Sequence, residues 1–173
     1  MMNYTRLLLL ALFVVLFSCS DDEAPLPTSE GMLGTWSVTA ISYKGSTTTT
    51  VSGVSIKADF TGTGKDMDLT TTFSENPNTV TSEGSYTIVL TTTMLGQTTT
   101  EEYPFDEAVI DGTWTLEGRT LTITNGAITQ DATITRQTST VLEVKIKLEE
   151  TESDPNFTVT TKVDAVYTFE KQL

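Results

Sequence analysis

From Leu142 onward apolar residues recur at every second position. Leu142, Val144, Ile146 and Leu148 alternate with Glu143, Lys145, Lys147 and Glu149. Phe157, Val159, Val163, Ala165, Tyr167 and Phe169 keep the same period against Thr158, Thr160, Lys162, Asp164 and Thr168. Successive side chains of a strand point to opposite faces, so each segment predicts a strand with one buried and one wetted face, the mark of antiparallel sheet. Shorter rows of this kind occur at Trp36-Val38-Ala40, Val54-Ile56-Ala58-Phe60, Met67-Leu69-Phe73 and Tyr86-Ile88-Leu90, and again at Trp114-Leu116, Leu121-Ile123 and Ala132-Ile134. Turn residues separate them: Gly62 and Gly64, Asn76-Pro77-Asn78, Gly112, Glu117-Gly118, Asn125-Gly126 and Asp154-Pro155-Asn156. Asn125-Gly126 is the strongest hairpin signal, because a type I′ turn needs positive φ at both centres. After residue 30 no stretch has a 3.6-residue apolar period. The reading is an all-β domain of about nine strands, with no room for crossover helices. Such a chain closes as an antiparallel up-and-down β-barrel of about 8–10 strands, or stacks as a β-sandwich; closure removes the exposed edges.

The N-terminus follows a different pattern. Leu7 to Phe17 is an unbroken apolar run of 11 residues preceded by one charge, Arg6. Crossing a bilayer takes about 18 or more such residues, so residues 1–18 read as a signal peptide. Residues 19–30 read as a tether, acidic at first and then an extended spacer around Pro25 and Pro27, which leaves 31–173 for the domain. Leu16-Phe17-Ser18-Cys19 resembles the bacterial lipobox, with Phe17 bulkier than the usual residue. The resemblance implies cleavage before Cys19 and lipid on its sulfur, a covalent membrane anchor; an ordinary secretory signal that contains a Cys is the alternative. Ser20, Asp21, Asp22 and Glu23 resemble the export signal of Bacteroidota lipoproteins, which implies routing to the outer face of the outer membrane. The alternative is a solvated acidic linker.

Composition narrows the chemistry. Thr occurs 37 times, which favours strands through β-branching. With 10 Lys+Arg against 23 Asp+Glu, the net charge of −13 disfavours nucleic acid and repels anionic lipid surfaces. The chain has no His and one Cys, which removes His-dependent triads and zinc sites and forbids an internal disulfide. Asp66 and Asp68 share one face of a strand opposite Met67 and Leu69, a solvated pair before a catalytic one. Glu101, Glu102, Asp106 and Glu107 flank Tyr103-Pro104-Phe105 in what reads as a loop, without the spacing of a calcium site. No phosphate loop, nucleophile elbow or dinucleotide fingerprint occurs. The expectation is a protein without catalysis, metal or cofactor.

Leu33-Gly34-Thr35-Trp36 resembles the Gly-x-Trp opening of lipocalins. Asp111-Gly112-Thr113-Trp114-Thr115-Leu116, followed by Leu121-Thr122-Ile123-Thr124, resembles the mid-domain hairpin of lipocalin-like domains in Bacteroidota lipoproteins, and Val166-Tyr167-Thr168-Phe169-Glu170-Lys171 their last strand. The resemblance implies a lipocalin-like barrel in which Trp36 plugs one end beneath a basic side chain, here Lys171. True lipocalins use Arg there and carry a Thr-Asp-Tyr segment that this chain lacks. A barrel of this size holds one small molecule or is filled by its own side chains. Phe60, Tyr86, Trp114, Tyr167 and Phe169 on the inward rows are thus a ligand wall or plain core. Tyr103 and Phe105 form a lid or a permanent cap. The function expected is a surface lipoprotein of the outer membrane that binds a small apolar or amphipathic ligand. The alternative is a structural envelope module with a filled barrel, whose Thr-rich outer face contacts glycan or another envelope protein.

Overall fold

The computed structural model describes residues 25–106 and 111–173. The signal segment, Cys19, the Ser20–Glu23 motif and Glu107 lie outside the described residues. A one-turn helix, α1 (Ser29–Met32), precedes nine strands: β1 (Gly34–Val51), β2 (Val54–Ser74), β3 (Thr79–Met94), β4 (Gln97–Phe105), β5 (Gly112–Glu117), β6 (Thr120–Asn125), β7 (Ile128–Gln137), β8 (Val141–Asp154) and β9 (Phe157–Lys171). They form one sheet in the order β2-β1-β9-β8-β7-β6-β5-β3-β4, and β2 also pairs with β3. The ladder therefore returns to its starting strand. Eight antiparallel strands close a lipocalin-like ring, and β4 lies outside it, paired with β3 alone. A single closed sheet replaces the sandwich alternative.

The strands of this ring differ greatly in length. β2 has 21 residues, whereas β5 and β6 have 6 each. β3 meets β5 only at Thr79–Thr113 and Val80–Gly112. β7 pairs with β8 only between Thr133–Lys145 and Gln137–Leu142. Beyond these points β4, β3, β2, β1, β9 and β8 run on side by side as a tall wall, while β5, β6 and β7 make a low one. The shape is a cup with a high back.

The inward rows build one core from Trp36, Val38, Ile41, Leu69, Phe73, Val80, Ile88, Trp114, Leu121, Ile134, Leu142, Val144 and Phe169. A bulge between Val38 and Ala40 shifts the alternation, so Ile41 is inside and Ala40 is exposed, contrary to the row read from the sequence. The two rows Val54–Phe60 and Met67–Phe73 are one strand, β2, and Gly62 and Gly64 make no turn. Gly62 pairs with Tyr43, and a Cβ there would lie 2.3 Å from the Tyr43 ring. The glycine serves close packing beneath an aromatic ring, and Gly45 does the same opposite Phe60.

The chain stays in strand after Gly45 in β1, through Gln97–Phe105 in β4 and from Glu150 to Asp154 in β8. The adjoining turns are two residues long: Ser52-Gly53, Leu95-Gly96 and Pro155-Asn156. The first two have positive φ at both centres, as type I′ geometry requires. The Asn125-Gly126 hairpin exists, but Asn125 pairs with Ile128, so its centres are Gly126 and Ala127.

The narrow end is shut from below. Thr28 caps α1 by accepting a hydrogen bond from Gly31 N at 3.1 Å. Gln137 holds Thr28 on both sides: Thr28 N donates to Oε1 at 2.8 Å, and Nε2 donates to Thr28 O at 3.2 Å. Pro27 and Met32 are buried, so the packed unit begins at Pro27, within the stretch read as tether. Trp36 is 0% exposed, and its indole N–H donates to Met32 O at 2.8 Å. Lys171 Nζ stands 5.1 Å from the centre of the Trp36 ring, within cation–π range. Gly34, at φ +110°, admits this arrangement, since a Cβ would meet Lys171 Cε at 3.2 Å. Trp36→Ala is expected to cost about 3–5 kcal/mol in urea unfolding. Trp36→Phe keeps the bulk but orphans the Met32 carbonyl and costs about 1–3 kcal/mol.

Candidate ligand site at the mouth of the cup

Where β7 parts from β8 the ring opens into a cavity of about 400 Å³. Leu121, Ile123, Ile128 and Ala132 line it from the low wall, and Val144, Ile146, Leu148, Tyr167 and Phe169 from the tall one. Asp111, Asn125 and Gln130 supply the polar groups. The lining is mostly apolar with a few polar groups, the usual make-up of a small-molecule site. Asp111 is already engaged, accepting a hydrogen bond from Ser82 N at 2.9 Å. Among the described residues no three or more His, Cys, Asp or Glu side chains are grouped to hold a metal ion.

The five aromatic residues read as a ligand wall divide into three groups. Tyr167 and Phe169 line the cavity, their rings 6.4 Å apart. Trp114 is core: 2% exposed, edge-on to Phe73 at 5.8 Å, with its indole N–H donating to Ser74 O at 3.1 Å. Phe60 and Tyr86 sit on the inner face of the tall wall, Phe60 edge-on to Tyr43 at 6.3 Å. Tyr86 stacks on Phe105 at 5.0 Å with the planes 10° apart. That contact corrects the loop reading of Tyr103 and Phe105. Both lie in β4, held to β3 by the backbone ladder rather than on a hinged segment.

Sequence reasoning missed Ile123, Ile128, Ala132, Val144 and Ile146 as cavity residues. Their alternation marks them as inward, but it carries no sign of where two strands separate. It also missed Tyr43, which joins a set of phenols. Burial pushes the Tyr167 hydroxyl up to about 12, and the neighbouring Tyr86 and Tyr43 add to the effect. Tyr43 is raised by burial and then by Tyr86 and Tyr103, and Tyr86 by burial. Tyr103 is raised chiefly by the hydrogen bond that its hydroxyl donates to Glu101. The hydroxyls of Tyr43, Tyr86 and Tyr167 have no hydrogen-bond partner among the described residues.

A broader and more open depression of about 580 Å³ lies over the tall wall among Lys44, Asp59, Lys147, Glu149, Lys162 and Asp164. Charges there pair with their neighbours, Lys162 with Glu149 at 2.8 Å and Lys145 with Asp164 at 3.4 Å. Threonines on the same outer face bond across strands: Thr91 with Thr100 at 3.1 Å, Thr93 with Thr98 at 3.0 Å and Thr151 with Thr160 at 3.1 Å. No helix among the described residues is long and apolar enough to cross a membrane. No protein-family model, curated protein or solved structure matches this chain.

The Tyr167 hydroxyl allows a direct test. An ordinary tyrosine ionises near 10.0, so between that pH and about 12 the unfolded chain releases a proton that the folded chain keeps, and stability falls as pH rises. Tyr167→Phe is expected to remove this part of the alkaline decline, on the order of 2 kcal/mol. At neutral pH the same variant should be within about 0.5 kcal/mol of the parent, since no protein partner is lost. Urea titrations across that range read both effects.

Proposed function

We propose that this chain is a lipid-anchored extracytoplasmic binding protein of lipocalin-like build, which holds a small apolar or amphipathic molecule at the mouth of the cup without transforming it. The observation that carries this reading is the apolar 400 Å³ cavity at the break between β7 and β8. The partnerless phenols beside it supply hydrogen-bond donors for a polar group on the ligand. The reading includes no catalysis: the chain has no His, and Asp111, the carboxylate that lines the cavity among the described residues, is tied to a backbone amide.

In this reading lipid on Cys19 anchors the protein at the cell surface, and Ser20-Asp21-Asp22-Glu23 directs its export. Pro27 lies eight positions after Cys19, a reach of at most about 30 Å when extended. The chain enters the fold at the closed base, so the base faces the membrane and the mouth faces outward. A second reading, a structural module contacting glycan or an envelope protein, rests on the hydroxyl rows of the outer face. Several of those hydroxyls are taken up by bonds to one another, which favours the first reading.

Leu148 lines the cavity and is 47% exposed, so it accepts a larger side chain without disturbing the core. Leu148→Trp is expected to weaken binding of the fluorescent probe N-phenyl-1-naphthylamine by at least about tenfold, with little change in Tm. A parent protein that fails to bind the probe, or a variant that binds it equally well, overturns the ligand reading. Cys19→Ala is expected to abolish incorporation of labelled palmitate and to lose the protein from the set removed by protease shaving of whole cells.

A further inference from the structure

The charge of the ligand is written into the alternation of the walls, and this inference rests on the mouth being a binding site. Gly45, Ala58, Phe60, Ile146, Leu148 and Val163 occupy inward positions. The lysines between them, Lys44, Lys57, Lys145, Lys147 and Lys162, therefore all fall on the outer face. The cations nearest the interior belong to the closed end. Lys171 lies against Trp36, and Arg119 donates to the carbonyls of Ile134 and Pro25. Acids occupy inward positions toward the rim: Glu101 beside Tyr103, and Glu150 and Glu152 in register beyond Leu148. Asp111 lines the cavity itself.

Aromatic faces converge on the same space. Tyr43, Tyr86, Tyr103 and Tyr167 come from four different strands; Tyr43 lies within electrostatic reach of Tyr86 and Tyr103, and Tyr167 of Tyr86 and Tyr43. Phe105 stacks on Tyr86, and Phe169 on Tyr167. A fatty-acid carboxylate entering this cup would lose water and gain no cation. An ammonium group would meet ring faces, each worth about 0.5–2 kcal/mol to a cation, and a field made negative by the rim acids.

We propose that the mouth selects a cationic amphiphile, an apolar body seated against Ile123, Ile146 and Phe169 with an amine or quaternary ammonium head among the tyrosine rings near Glu101. The neutral analogue binds more weakly, and the anionic one most weakly.

The test is calorimetric titration of the purified full chain with decyltrimethylammonium, decanol and decanoate, each below its micelle-forming concentration. The ammonium is expected to bind at least about tenfold tighter than the alcohol, and the carboxylate at least about tenfold weaker than the alcohol. Glu101→Gln keeps an acceptor oxygen for the Tyr103 hydroxyl; it should reduce ammonium affinity several-fold and leave decanol affinity within about twofold. Decanol or decanoate binding as tightly as the ammonium overturns the charge selection while leaving the mouth as a binding site. No binding by any of the three overturns the mouth itself. An ammonium preference that Glu101→Gln leaves intact, but that salt removes, assigns it to the overall charge and overturns the site.

Discussion

Eight strands can form a closed ring only at heights where all eight are present, and β5, β6 and β7 stop short. Much of the molecule's form follows from that constraint. At the base the ladder runs around the ring, and α1, Met32 and Trp36 cover it from below. Higher up the ladder has nothing to close against, so β7 leaves β8 after Thr133–Lys145 and the interior opens. The same constraint explains the mixed fate of the aromatic rows. Trp114 lies low enough to be core, whereas Tyr167 and Phe169 lie where the low wall fails and face the cavity.

A tall wall without a complete ring leaves edges free, and an unpaired edge invites another strand. β4 is one such edge; it carries Glu101, Glu102 and Pro104, and Pro cannot donate to an incoming ladder. The upper part of β8 is the other, and it presents Lys147, Glu149, Glu150 and Glu152. Hydrophobic strands with these edges would pair with their copies, whereas charges at close spacing oppose it. The edge chemistry thus opposes strand pairing at both sides of the mouth.

The sequence discloses the class of fold because alternation is a local property: two residues apart means the same face, whatever the topology. It fails where a tertiary contact overrides the local signal. Gly62 and Gly64 carry the composition of a turn, and only the Tyr43 ring lying over Gly62 explains why β2 runs through them. Gln97–Phe105 has the composition of an acidic loop, and its pairing with β3 makes it a strand. These two misreadings cancel in the strand count, so agreement on nine strands overstates how much of the chain was legible. The Trp36–Lys171 contact was legible through a resemblance in short motifs at the two ends of the domain, and β1 pairs those ends directly, Trp36 opposite Lys171. The cavity was not legible, since it depends on where two ladders end and not on the identity of any residue in them.

The placement of charge follows from energies of unequal size. Lys65–Glu102 at 3.1 Å and Lys162–Glu149 at 2.8 Å are exposed pairs, and such pairs contribute about 0–1 kcal/mol. They are too weak to decide which face a lysine occupies. Turning a lysine inward onto Ile146 or Val163 would instead strip water from an ammonium with no partner, a cost of several kcal/mol. The lysines are therefore outside because the inner face is apolar, and their pairing with Asp and Glu is a consequence. With the basic groups committed to the outer face, the acids that alternate inward beyond Leu148 have no counterion among the strands that carry them. The field at the mouth is thus set by the same period-two rule that builds the core, and the proposed selection of an opposite charge needs no further device.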